Sequence, residues 1–191
     1  MMLAIDIGNT SIHVGVFSGS TLRRQFSLPT RLVRNAAALR RRLRISGAKD
    51  AIVCSVVPWA TTAVTGALRV TGISPVVVGR TLRVPLINRY RYPKEVGQDR
   101  LVGAYAAWKT YKKDCIIVDI GTAITIDVVT KGGEYLGGVI APGIGISLEA
   151  LATRTALLPK VQLREPPELL GRDTANSIRS GLLFEIGRAH V

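Results

Sequence analysis

The 191 residues carry 26 lysines and arginines against 13 aspartates and glutamates, a formal charge of +13, and 47% of them are apolar. That suffices for one large domain or two small ones with a substantial core, while two cysteines, Cys54 and Cys115, without CxxC or Cys/His spacing, speak against a disulfide framework or zinc centre and for a reducing compartment. The apolar stretches are of strand length and end at proline or glycine, and no basic region precedes them at the N-terminus, so neither a signal peptide nor a membrane span is expected.

Residues 2–10 read as an apolar strand stopping at a Gly8-Asn9-Thr10 turn, and a second strand, 12–17, follows at hairpin distance. Residues 22–28 alternate as a third strand, broken by Pro29. A helix should follow, with Leu32, Ala36, Leu39 and Leu43 at the helical period and Arg40, Arg41, Arg42 and Arg44 on its other faces. Between residues 21 and 49 there are nine basic side chains and no acidic one. This run is read first as a solvated helix face, with nucleotide steering or an acidic partner as alternatives. A β-branched strand at 51–57 ends at Pro58, 61–70 can be helical, and 75–78 reads as a buried strand. The order βββαβαβ argues for a mixed sheet covered by helices.

After a boundary helix at 97–112 the pattern restarts. The run from Cys115 to Ala123 repeats the apolar strand and Asp-Ile-Gly turn of residues 4–10, strands follow at 124–129 and 134–140 around a Lys131-Gly132-Gly133 turn, and a helix is expected at 147–155. Two homologous lobes result, residues 1–112 and 113–184.

A strand ending in Asp-x-Gly and turning straight back makes a hairpin whose glycine lets a phosphate approach the backbone, with amides and the hydroxyls of Thr10, Ser11 or Thr122 as donors. Two such hairpins facing one another would grip a triphosphate. Asp6 and Asp119 cannot bond anionic phosphates directly, so their expected work is to hold cations or their waters. The strand-to-helix junction at 137–145 is a candidate nucleoside or phosphate seat, or a plain turn; it has neither Walker A nor GxGxxG spacing. Asp99 and Arg100 open the boundary helix. A carboxylate beside a guanidinium there can act as a base toward a substrate hydroxyl while the arginine holds an anion, with helix capping as the alternative for Asp99.

Taken together, Asp6-Ile7-Gly8-Asn9-Thr10, Ser55-Val56-Val57-Pro58, Tyr90, Pro93 through Arg100, Val118 through Thr125, Gly137 through Gly143 and Leu158-Pro159 resemble, in kind and order, the motifs of type III pantothenate kinases. The resemblance runs from Met2 to Phe184. It implies an α/β, actin-like (ribonuclease H-like) fold of duplicated lobes, a cytoplasmic homodimer, and phosphorylation of pantothenate by ATP in the first step of coenzyme A synthesis. It further implies that Asp6, Ile7, Gly8, Asn9, Thr10, Ser11, Ile12 and His13 form the ATP hairpin and that Thr122 contacts ATP. Asp119 would bind a monovalent cation, K⁺ or NH₄⁺, beside Mg²⁺. Asp99 would be the proton acceptor, with Tyr90, Gly97, Gln98, Arg100 and Thr174 at the pantothenate site. Gln98 stands where the family usually has a small residue, and Tyr92 where it often has Asn.

Rival readings are another small-molecule kinase of this fold, or a non-catalytic regulator binding nucleic acid or a transcription factor through the arginine-rich face. Retention of Asp99, Asp119 and Thr122 favours the enzyme, and nucleic acid is not the expected partner. Residues 185–191 match none of these motifs and place a glycine inside a helical run. They are read as a foreign or misassembled tail on an incomplete second lobe, which should leave an apolar patch and a strand edge exposed, with low activity.

Overall fold

The structure is a computed structural model describing residues 1–43 and 47–188. It is mixed α/β, two mixed sheets with flanking helices, as the sequence leads one to expect. The chain divides into two compact units: Met1–Ile117 with Asp127–Gly138, and Val118–Ile126 with the chain from Val139 onward.

In the first unit, β1 (Met2–Ile7), β2 (Ser11–Ser18) and β3 (Thr21–Pro29) form an antiparallel meander, and β4 (Asp50–Ser55) and β5 (Ser74–Val77) join in parallel, giving the order β3-β2-β1-β4-β5. Strand alternation sends Leu3, Ile5, Ile7, Ile12, Val14 and Val16 into the core with Leu39 and Leu43 of α1 (Ala36–Leu43) and Val64 and Leu68 of α2 (Pro58–Val70). Full burial of such a side chain contributes about 1.5–3 kcal/mol. The same alternation turns Asp6, and with it His13 and Cys54 that pair to it in register, toward the opposite face.

The arginine-rich helix differs from its expected form. Residues Thr30–Arg34 make a 3₁₀ turn, and α1 begins only after Asn35, whose Oδ1 accepts the Ala38 N–H at 2.9 Å. Asparagine satisfies a helix-start donor better than it sits mid-helix, so the helix restarts there. Ala36 is consequently exposed, and only Leu39 and Leu43 of the expected stripe are fully buried; Arg44 lies outside the described residues. Helix α2 starts at Pro58, whose fixed φ and missing N–H suit a first helical position.

The second sheet has the order β6-β9-β8-β7, built from β6 (Ile87–Asn88), β7 (Cys115–Ile120), β8 (Ala123–Val129) and β9 (Glu134–Pro142). Its β7, β8 and β9 are neighbours in chain order, as β1, β2 and β3 are, with an Asp-Ile-Gly turn after the first strand each time. The repeat read in the sequence is thus a repeated meander. Helix α3 (Gln98–Tyr111) lays Leu101, Ala104 and Trp108, spaced as one helical face, against Val129, Tyr135 and Ile117 in a second core of the first unit. In the second unit, α4 (Ile144–Arg154) starts three residues earlier than expected, and α5 (Thr174–Arg188) runs on through Gly187, so that glycine does not stop the helix. Residues 189–191 of the expected tail lie outside the described residues. Ile116 (71% exposed) and Leu136 (50%) in the first unit leave β7 and β9 covered on one side only, and Ile140 and Leu170 are exposed in the second. Among the described residues no helix is long and apolar enough to cross a membrane.

Candidate active site

The first hairpin is held from both ends by one buried threonine. Gly8 N–H donates to Ser11 O at 2.9 Å, closing the turn; Thr30 then donates its hydroxyl to Gly8 O at 2.7 Å and its N–H to Thr10 O at 2.9 Å. Thr30 is 1% exposed. Asn9 and Thr10 stay exposed, and a cavity of about 610 Å³ beside them is lined by Asn9, Thr10, Ser11, Ser27 and Arg31. Ile7 and Ile12 are fully buried in the core. Of the residues predicted for ATP, these two can therefore offer only backbone. His13 Nδ1 shares a 2.8 Å hydrogen bond with Ser27 Oγ.

A second cavity, also about 610 Å³, lies on the opposite face of the sheet and is lined by Asp6, His13, Ser27, Cys54, Phe17 and Phe26. Burial, and then the charges of Asp6 and Asp99, push the Cys54 thiol up to about 12. Val102 lines the same cavity, so α3 and the end of β1 border it together. Cys54 and Cys115 are both free.

Asp99 sits in the first turn of α3, and its Oδ1 accepts the Arg100 N–H at 2.8 Å. A Cβ on Gly97 would collide with that same oxygen, which explains glycine in this position. Gln98 packs onto Gly79, whose φ of +80° and lack of a side chain make room for it. The larger residue at 98 is thus accommodated beside β5, in a niche of about 200 Å³ lined also by Ser55 and Thr61.

Arg100 turns away from Asp99, because successive helix side chains diverge by about 100°. It pairs instead with Asp127 of β8: Nη2 to Oδ1 at 2.6 Å and Nε to Oδ1 and Oδ2 at 3.0 and 3.2 Å, with both side chains under 10% exposed. Tyr135 donates its hydroxyl to Asp127 Oδ1 at 2.7 Å. Burial opposes the guanidinium charge, but the hydrogen bonds and charge of Asp127 outweigh it and raise the Arg100 pKa. Burial and the Asp127 carboxylate likewise raise that of the Tyr135 phenol. The Tyr90 ring lies on the backbone of Gly137, where a Cβ would stand 3.2 Å from it, and 6.4 Å from the ring of Tyr135.

In the second unit, Asp119 is exposed at the end of β7, and Gly121 and Thr122 form the turn into β8. Gly143 N–H donates to Thr122 O at 3.1 Å, and a Cβ there would overlap the carbonyl oxygens of both Gly121 and Thr122. The glycine of the 137–145 junction is required by backbone packed on backbone. Thr174 opens α5 and is exposed. The preceding Asp173 accepts Asn176 N–H at 2.8 Å, a bond that lowers its carboxyl pKa. Thr30, Asp127 and Tyr135, which brace these elements, were not singled out in the sequence; the signal for Asp127 was an acidic residue inside the 123–129 strand, whose other residues are apolar except Thr125.

Residues 2–189 match the family described as type III pantothenate kinase. A relative of that name from Finegoldia magna is 42% identical over 96% of this chain and 74% of its own length. Another from Moorella thermoacetica is 37% identical over 96% and 76%. The solved structure of a Campylobacter jejuni protein described as a Baf family transcriptional activator superposes with a TM-score of 0.60 over 98% of this chain and 77% of that one, at 21% identity, a likeness of fold.

Proposed function

Since the chain belongs to the type III pantothenate kinase family, we propose that it transfers the γ-phosphoryl group of ATP to the primary hydroxyl of pantothenate, with Asp99 as the group that takes the hydroxyl proton. The observation that carries the reading on this chain is that α3, which bears Asp99, and the end of β1, which leads into the first hairpin, border one cavity: Val102 lines it together with Asp6 and Cys54. The hairpin from Asp6 to His13 offers backbone amides and the hydroxyls of Thr10 and Ser11 to ATP phosphates. Thr122 offers a further donor from the second unit. Gly97, Gln98, Tyr90 and Arg100 in the first unit and Thr174 in the second are the pantothenate contacts of the proposal.

Phosphoryl transfer asks mainly for positioning and charge stabilisation, with the incoming and leaving oxygens in line. Asp99 contributes by accepting the acceptor's proton as the new O–P bond forms, and the amides of the hairpin by holding the donor. Asp119 is exposed at the end of β7, two residues before Gly121, and offers carboxylate oxygens toward solvent. Carboxylate oxygens are the donors a hard cation takes. Asp119 would hold K⁺ or NH₄⁺ there; that ion and Mg²⁺ would supply charge neutralisation for the triphosphate. The reading includes the cytoplasmic homodimer implied by the family.

The test is a coupled assay of ADP release with and without pantothenate, with mass detection of phosphopantothenate. ADP release that depends on pantothenate is expected. ATP turnover indifferent to pantothenate would overturn the assignment.

A further inference from the structure

The mechanism gives work to the carboxylates of Asp6, Asp99 and Asp119 but leaves Asp127, which is 2% exposed and whose sequence neighbours Ile126 and Val128 are apolar. An aspartate so deeply buried is costly unless its lone pairs are used. Among the described residues they are used by the Arg100 guanidinium and the Tyr135 hydroxyl. We propose that Asp127 and Tyr135 are positioning residues that lock the Nε/Nη2 edge of Arg100 inward, so that its remaining N–H groups, together with the Tyr90 hydroxyl that hydrogen-bonds the guanidinium, are aimed at the carboxylate of the acceptor substrate.

The geometry is directional. A guanidinium presents its five N–H groups in a rigid plane, and a carboxylate engaging Nε and Nη2 fixes that plane completely. Asp127 does this with three contacts between 2.6 and 3.2 Å. Tyr135 fixes the carboxylate in turn, and its ring lies 5.9 Å from the guanidinium carbon, so the plane is braced on its face as well as its edge. Tyr90 packs against Tyr135 and onto Gly137, carrying the brace to another proposed substrate contact. Arg100 and Asp127 are together neutral. Recognition of an anionic acceptor therefore comes from aimed N–H groups rather than from a free cation, and selects for a carboxylate of correct reach over any nearby anion.

The inference rests on the proposed pantothenate reading, and the test separates the two. Initial rates would be measured on the full chain with pantothenate and with its analogue in which the carboxylate is replaced by a primary alcohol, for wild type, Asp127→Asn and Tyr135→Phe. Expected for Asp127→Asn is a rise of tenfold or more in KM for pantothenate, with KM for ATP and the rates with the alcohol unchanged within a factor of about three. Tyr135→Phe, which removes one hydroxyl and should fold, is expected to show the same pattern at about threefold. Equal losses with both acceptors, or none, in folded variants would overturn the proposal. A second arm needs no substrate: the Arg100 Nε–H resonance should be protected from solvent exchange in wild type and lose protection in Asp127→Asn, or, if that variant does not fold, lose part of it in Tyr135→Phe. Unchanged protection in the folded variants overturns the proposal. A wild-type chain that turns over neither acceptor would instead sink the functional reading, while the exchange arm still decides whether Asp127 sets the arginine.

Discussion

Thr30→Val tests whether the first hairpin is pinned from outside itself. Valine keeps the shape and the β-branch of threonine and leaves the backbone bond from residue 30 to Thr10 O in place. What is lost is the 2.7 Å bond from the hydroxyl to Gly8 O, at a site 1% exposed to solvent. Leaving this part-buried carbonyl without its partner costs at most about 1–3 kcal/mol. For a chain of this size each kcal/mol moves Tm by about 2–4 °C, so a fall of at most roughly 2–12 °C is expected. Because Gly8 is the turn glycine of the proposed phosphate hairpin, KM for ATP should rise several-fold while KM for pantothenate stays put. Thr30→Ser, which restores the hydroxyl and gives up only a methyl group, should recover the ATP affinity. Calorimetry and initial-rate kinetics on the three proteins provide the measurement. A valine variant with wild-type Tm and wild-type KM for ATP would show that the turn stands by itself.

Asp99→Asn should leave ATP and pantothenate binding intact by titration calorimetry and lower turnover about 10²-fold or more, the usual scale of a lost general base; near-normal turnover removes Asp99 from the mechanism. Activity should require K⁺ or NH₄⁺ besides Mg²⁺, and Asp119→Ala should abolish activity along with that requirement; full rates in choline buffer would contradict this. With its thiol near 12 against an unfolded value near 9, Cys54 stays protonated in the fold while the unfolded chain ionises. Its contribution to stability is therefore complete below pH 9 and falls as pH rises from there toward 12. Cys54→Ala should flatten the loss of urea stability between pH 8.5 and 10, and an unchanged slope would count against a buried, ionisation-resistant thiol.

How much of this was legible depended on whether the signal was local. The βββαβαβ order, the α3 boundary helix and the second meander each rest on periodicity and on glycine or proline punctuation, and the sheets follow them. The arginine-rich helix was misdrawn because Leu32, Leu39 and Leu43 keep a helical period through the Asn35 break. Periodicity cannot see a single residue whose side chain replaces the backbone as acceptor. Gly143 and Gly97 stood out as glycines within motifs, but the reasons for them are contacts: one presses on the second hairpin's carbonyls, the other on the carboxylate of Asp99.

The pairing of Arg100 was the furthest from reach. Sequence proximity favours Asp99, one residue away, whereas the fold offers Asp127, 27 residues on. The choice follows from solvation. An exposed first-turn carboxylate keeps its water, while a carboxylate held inside a sheet demands a buried cation as its partner. If Arg100 paired with Asp99 instead, Asp127 would be a buried charge without a counter-ion, and the arginine's attraction would hold the proposed base as an anion too stable to accept a proton readily. Separating the two carboxylates, one paired in the core and one exposed at the helix start, lets Arg100 be fixed by Asp127 without tying up the proposed base.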